Sequence, residues 1–208
     1  MSEFVLRRGL QNLVIAEVLT DTAEEITFGE VKKLIPAGEM SKTVDNEKAQ
    51  YWFDNTVFAT VGREGATEIT VSGAGLRAAA RAYLNGKHVD EATGAVLDSG
   101  QLKEKYFAFG GESKNTDGSL EMFWFAKGTF SVPDETDKTE DESTDANGTE
   151  LTYSAIPTNH RFNVNGETVP HKRTVIDTKE TKVKDEQDFF AQPVTPDNIA
   201  TICEKVTA

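Results

Sequence analysis

Met122-Phe123-Trp124-Phe125-Ala126 is apolar at every position. A strand with one wet face would alternate, so this run predicts a central strand covered on both faces. The turn dipeptide Asp117-Gly118 separates it from a second aromatic stretch, Tyr106–Phe109, and Lys105–Val132 therefore reads as a long hairpin.

Strand signals continue on either side. Leu13–Val18 is a short apolar run, and Ile26 and Phe28 sit two apart, as one strand face does. Val57–Val61 is followed by Thr67–Ser72, where Ile69 and Val71 alternate with Glu68 and Thr70. Leu151, Tyr153 and Ala155 alternate with Glu150, Thr152 and Ser154. Asn147-Gly148 and Asn165-Gly166 are turn dipeptides that tolerate positive φ. One amphipathic helix is predicted at about 74–85. Ser72 is its candidate cap, Gly86 its stop, and Leu76, Ala79, Ala80, Tyr83 and Leu84 its apolar face. A weaker helical pattern runs from Pro196 to Val206. The fold class predicted is mainly β (α+β), with one flanking helix and long extensions.

Two segments read as irregular. Leu34–Thr56 is polar and turn-rich until it reaches Tyr51-Trp52-Phe53. Residues 133–148 hold seven acids against Lys138 alone. Like charges at that density repel, which predicts a solvated acidic loop.

A chain of 208 residues fits one compact domain with extensions, or at most two small ones. At that size about 70% of the unfolded chain's surface can be buried, so no metal or disulfide staple is needed. Cys203 is the only cysteine, which excludes an intrachain disulfide. The net charge of −13 disfavours partners rich in phosphate, nucleic acid and anionic membrane alike. Met1-Ser2-Glu3 opens no charged-then-apolar leader, and no apolar run approaches a membrane span. The expectation is synthesis in a cytoplasm, without secretion.

Catalytic and cofactor chemistry finds little purchase. Gly73-Ala74-Gly75-Leu76-Arg77-Ala78 matches a dinucleotide fingerprint between a strand and a helix. Asn85-Gly86 and Thr93-Gly94 then signal turns where a parallel strand should follow, so a glycine-rich helix entry is the better reading. A calcium loop registered on Gly148 places Ser143 and Ser154 where Asp and Glu are required. His88, His160 and His171 share no metal-ligand spacing with one another or with Cys203, and read as surface residues. No nucleophile motif is present. Neither an enzyme nor a cofactor is expected.

The order of the parts is more informative than any one of them. Gly9-Leu10-Gln11-Asn12-Leu13-Val14-Ile15-Ala16 opens the chain, followed by Ile26-Thr27-Phe28-Gly29 and Ile35-Pro36-Ala37-Gly38. A polar stretch, Ser41 to Glu47, then leads into Tyr51-Trp52-Phe53-Asp54-Asn55-Thr56-Val57. A strand, the helix, the aromatic hairpin and the acidic segment follow, running into Thr149-Glu150-Leu151-Thr152-Tyr153-Ser154-Ala155-Ile156-Pro157. This order resembles the major tail (tail tube) proteins of siphophages and prophages of Gram-positive bacteria. The resemblance covers most of Phe4–Arg173 and ends near Asp177.

What it implies is one tail-tube domain over 1–208, a β-sandwich or barrel with a flanking helix. Six such subunits would form a ring, inner sheets would join into a continuous barrel, and rings would stack into a tube. Segment 34–56 becomes the stacking loop, and 177–208 a C-terminal extension without an assigned role. The implied stacking interface comprises Met40, Ser41, Thr43, Asp45, Glu47, Gln50, Tyr51 and Trp52, with Phe4 and Leu6 as an N-terminal arm. Packing of Tyr51-Trp52-Phe53 inside the subunit is the alternative. Implied partners are further copies of the chain and the tape-measure, tail-tip and tail-terminator proteins. Genome DNA would slide through the bore unbound, no membrane is involved, and the protein would move from host cytoplasm to virion. On this reading Trp52→Ala, or deletion of Ser41–Glu47, leaves a folded subunit that builds no tube. The rival is a β-rich capsid decoration or adhesion module.

Overall fold

The computed structural model describes residues 4–53, 55–90, 92–98, 100, 103–131 and 148–206. The acidic loop expected at 133–148 lies outside the described residues, except for Gly148. In chain order the elements begin with β1 (Arg7–Asp21), β2 (Ile26–Phe28), β3 (Lys32–Lys33), β4 (Ala37–Phe53), β5 (Thr56–Gly73) and α1 (Ala78–Leu84). Next come β6 (His88–Val89), β7 (Val96–Leu97), β8 (Phe107–Asn115), β9 (Leu120–Ser131) and β10 (Thr149–Ala155). The chain ends through β11 (Arg161–Val164), β12 (Glu167–Pro170), β13 (Arg173–Asp177), β14 (Thr181–Val183), α2 (Glu186–Ala191), α3 (Ile199–Ile202) and β15 (Cys203–Lys205). The protein is mainly β, as the strand patterns predict.

The main sheet runs β2-β1-β8-β9-β10-β5-β4 with antiparallel neighbours, and β3 lies beside β1. β9 is long enough to take two partners on one edge: β10 against Gly128–Ser131 and β13 against Glu121–Phe125. A flat sheet would set β1 and β4 about 24 Å apart, five spacings of roughly 4.8 Å. Their Cα atoms instead come within 8 Å, so the sheet rolls towards a barrel.

β9 explains the roll. Its side chains alternate between two cores, as the Met122–Ala126 run predicts. Phe123 and Phe125 join Leu13, Ile69, Phe109, Leu151 and Tyr153 on the concave face. Met122 and Trp124 face outwards onto Val14, Ile176, Phe189, Val194 and Ile202. Inside, the buried Tyr153 hydroxyl donates to the Phe107 carbonyl at 2.7 Å. Outside, Trp124 Nε1–H donates to the Phe189 carbonyl at 2.8 Å. The cover on the outer face is the C-terminal extension, to which the sequence assigned no role.

Several local expectations need correction. The segment read as the irregular loop 34–56 is mostly β4, whose polar residues reflect exposure. α1 starts at Ala78 with Arg77 as its cap and no side-chain capping bond, because Ser72 is still paired within β5. Ala82 and Leu84 turn inwards, while Ala79 is exposed. Gly86 does stop the helix at φ +65°, where a β-carbon would collide with the Lys103 carbonyl. The helical pattern at Pro196–Val206 yields only the single turn of α3 before β15 pairs with β14.

Two of the three histidines are not simple surface residues. His160 and His171 flank the buried Phe162, with ring centroids 4.6 and 5.6 Å from it. The Thr174 hydroxyl spends its proton on the Val194 carbonyl, so it accepts from His171 Nε2–H at 2.9 Å. Burial drops the His171 pKa to about 4. The native state keeps the ring neutral where the unfolded chain, with a pKa near 6.5, takes up a proton. The resulting stability is complete above pH 6.5 and disappears as pH falls to about 4, a loss of about 3 kcal/mol. Urea melts should show His171→Gln losing about that much less than wild type between pH 7 and pH 4. Equal losses would refute this.

Candidate functional site

The candidate site is a protruding β-ribbon. β4 and β5 pair from Ala37↔Gly73 out to Phe53↔Thr56. β10 supports β5 only along Thr67–Gly73, so the paired stretch beyond Val44↔Thr67 leaves the sheet as two strands alone. At about 3.3 Å per residue, residues 45–53 reach roughly 30 Å. The register shifts between Val44 and Asn46, where the ribbon departs, and again between Tyr51 and Trp52 near its end. Such irregularities bend a strand and re-aim its side chains.

Lys172 fastens the base of the ribbon. Its ammonium donates to Glu64 Oε1 at 2.9 Å and to the Gly65 carbonyl at 2.8 Å. The hydrogen bond and charge of Lys172 hold the Glu64 carboxyl below its ordinary pKa. At the far end Asn55 has φ +60°, a conformation asparagine tolerates, and Thr56 Oγ1 donates to the Phe53 carbonyl.

The end of the ribbon is apolar and wet. Tyr51, Trp52 and Phe53 are each more than half exposed, and Phe58 is 76% exposed. Phe53 and Phe58 meet edge to face at 5.3 Å. Alternation directs Tyr51 and Phe53 to one side and Trp52 to the other, where it lies opposite Val57. Both faces are therefore apolar. A two-stranded ribbon is marginally stable in water, and an aromatic end adds a solvation penalty. The feature makes physical sense as a surface to be covered.

Of the residues expected at the stacking interface, Ser41, Thr43, Asp45, Gln50, Tyr51 and Trp52 are exposed along β4. Glu47 also belongs to this strand. Met40 differs: it packs against the subunit's own inner core because it sits where β4 is still part of the sheet. The alternative of aromatics packed inside the subunit is not what the fold shows. Phe4 and Leu6 are strongly exposed, and the Leu6 carbonyl accepts from the Thr116 amide. Phe58 belongs to the same exposed end without being among the expected interface residues; Val57-Phe58 close after Tyr51-Trp52-Phe53 is its signal in the sequence.

Other polar clusters are satisfied internally. The buried Asp21–Lys127 pair, at 2.6 Å, is completed by the Asn159 and His160 amides. Burial opposes ionisation of Asp21, but these amides and Lys127 together keep its carboxyl below the ordinary pKa. Such a cluster pins the β1–β2 corner to the segment after β10. The stretch Gly73–Ala78 leads through α1 into the antiparallel β6–β7 hairpin, so no parallel unit forms around it. No group of three or more metal-ligating side chains occurs among the described residues. No helix among them is long and apolar enough to cross a membrane.

A cavity of about 570 Å³ opens beside Leu84, Lys103 and Phe130, but its Lys87 and Lys105 are already paired with Asp98 and Glu17. A second, of about 270 Å³, lies near the ribbon base. Ile69, Phe123 and Phe125 line it, with Arg7, Lys42 and Arg173 around Glu121.

No family model matches the chain, and no curated protein matches it. Among solved structures it is similar to the tube-terminating cap of the anti-feeding prophage, determined by cryo-EM. The identity is 10%, the match covers 84% of this chain and 95% of that chain, and the TM-score is 0.39. A likeness so loose assigns neither a fold family nor a function.

Proposed function

We propose that this chain is a structural virion protein, a subunit that assembles with its own copies into a phage tail tube. The observation that carries the reading is the ribbon: about 30 Å of unsupported hairpin ending in exposed Tyr51, Trp52, Phe53 and Phe58. Covering an aromatic side chain is worth about 1.5–3 kcal/mol, so one seated ribbon end supplies several kcal/mol. Aromatic anchors of this kind commonly dominate an interface.

In the proposed assembly the ribbon makes a heterologous contact, its end meeting a different part of the next copy. Contacts of that type close into rings or continue as open filaments, depending on their rotation. A hexameric ring built by one interface and stacked through the ribbon uses both options. The outer edge of β4 takes part in ring closure: β4 ends the sheet among the described residues, and the free edge of a strand 17 residues long invites pairing. Phe4 and Leu6 form a second arm of the assembly. Tape-measure, tail-tip and tail-terminator proteins complete the set of partners, and the virion is the final location.

The net charge of −13 suits a conduit for DNA. An acidic wall offers few phosphate contacts that release counterions, so DNA passes without being held. Screening over about 8 Å at physiological salt confines the repulsion to close approach. No bond-making step is involved, and no cofactor is required.

Negative-stain microscopy of the concentrated protein tests the proposal. Hollow tubes or rings are expected. Particles that stay single at every concentration, with or without a tail-tip complex, would overturn it and favour a decoration or adhesion module.

A further inference from the structure

The smaller cavity departs from the character of the chain around it. Arg7, Lys42 and Arg173 surround a single carboxylate, Glu121, in a protein with 13 surplus negative charges. Glu121 is already engaged, by Arg7 at one oxygen and by Arg173 at the other at 3.6 Å. Lys42 has no hydrogen-bond or ion-pair partner among the described residues. Arg173 Nε is buried without a hydrogen-bond acceptor, while its guanidinium lies over the Phe125 ring, 5.2 Å from the centroid. Burial, then repulsion from Arg173 and Arg7, pulls the Lys42 pKa down, against the attraction of Glu121 and Glu64. An incoming carboxylate would relieve that repulsion. Behind the cations lie Ile69, Phe123 and Phe125, core side chains at most 3% exposed.

The ribbon has the complementary chemistry. Residues 45–64 hold Asp45, Glu47 and Asp54 against Lys48 and Arg63, a net charge of −1, besides Glu64, which Lys172 already holds. Four exposed aromatic side chains crowd its end. A cationic rim with a lysine unpartnered among the described residues and a buried, unsatisfied guanidinium nitrogen matches an acidic ribbon in charge. Position agrees as well: Lys42 lies on β4 and Ile69 on β5, where the ribbon leaves the sheet. A copy's ribbon therefore cannot fold back by its own length to reach the cavity beside its root, whereas the ribbon of a second copy can enter it.

We infer that the cavity bounded by Lys42, Arg173 and Phe123 receives the ribbon end of a second copy, with a ribbon carboxylate at Lys42. This rests on the tail-tube reading and names the receiving half of its stacking contact. A tip-to-base contact is heterologous, so it propagates to further copies as a ring or an open filament and does not end in a closed pair.

Two measurements test it. Zero-length carbodiimide cross-linking is run on assemblies from equal parts of isotopically light and heavy protein. Mixed-isotope links between Lys42 and an acid within 45–64 are expected; intermolecular links that bypass Lys42 altogether would overturn the site. Lys42→Glu should cut the assembled fraction at least tenfold by sedimentation and leave the thermal midpoint unchanged, whereas Lys42→Arg should assemble normally. Full assembly of Lys42→Glu, with Trp52→Ala still blocking it, would overturn the cavity and leave the tube reading standing. Wild-type protein that never assembles would overturn both.

Discussion

Replacing residues 49–61 with Asn-Gly should give a folded subunit that cannot form tubes. The cut joins Lys48 to Gly62, which face each other in the ribbon, through a two-residue turn suited to hairpins. It removes Tyr51, Trp52, Phe53 and Phe58 together. None of these contributes to either core, so the loss inside the subunit is small. A change in thermal midpoint of only a few degrees is expected, which corresponds to about 1–2 kcal/mol at this chain length. The assembly loses its aromatic anchors, worth several kcal/mol at each contact, and every 1.4 kcal/mol changes an association constant tenfold. Tubes should therefore vanish from micrographs at concentrations where wild type forms them. Normal tubes from this variant would remove the ribbon from the proposal. Trp52→Ala should act in the same direction with less force.

The deletion of Ser41–Glu47 suggested by the loop reading is a poorer test. Ser41–Val44 pair with Thr67–Thr70 inside the sheet. Removing seven residues, an odd number, would reverse the facing of the strand and expose what it buries. A failure to assemble would then report misfolding.

The difference between those two variants shows where sequence reasoning ends. Met122–Ala126 announced a strand with two covered faces because unbroken apolarity leaves no wet side, and β9 feeds two cores as that requires. Ile69, Val71, Leu151, Tyr153 and Ala155 were legible for the same reason, since alternation against a single core is a period-two signal. β4 was not legible. A ribbon with no core beneath it has no face to keep apolar, so its composition is that of a loop while its backbone is that of a strand. The aromatic end was visible as Tyr51-Trp52-Phe53, but its exposure depends on how far the hairpin outruns β10, which no local pattern encodes. Arg7, Lys42, Glu121 and Arg173 come from four strands and meet only when the sheet rolls. The histidines were misplaced because turn-rich flanks suggest surface, yet Phe162 between them is buried.

The C-terminal extension was the least legible part, and it carries the larger prediction for stability. After Asp177 the chain returns across the outer face of β9 and buries Phe189, Val194 and Ile202 against Met122, Trp124 and Ile176. Those three side chains alone are worth about 5–9 kcal/mol by area, set against a total stability of about 5–15 kcal/mol for a typical domain. Their removal also strips the Trp124 indole of its acceptor, the Phe189 carbonyl. A chain ending at Asp177 should therefore fail to fold, appearing in the insoluble fraction or without a cooperative thermal transition. Phe189→Ala is the milder version, because it empties one fully buried ring site and keeps the backbone acceptor. It should lose about 3–5 kcal/mol. At about 2–4 °C per kcal/mol that is a fall in Tm of about 6–20 °C, read by circular dichroism. A truncated chain melting within a few degrees of wild type would mean that the outer face of β9 needs no cover. In that case the unbroken apolarity of Met122–Ala126 would have to be explained by a partner and not by the subunit's own tail.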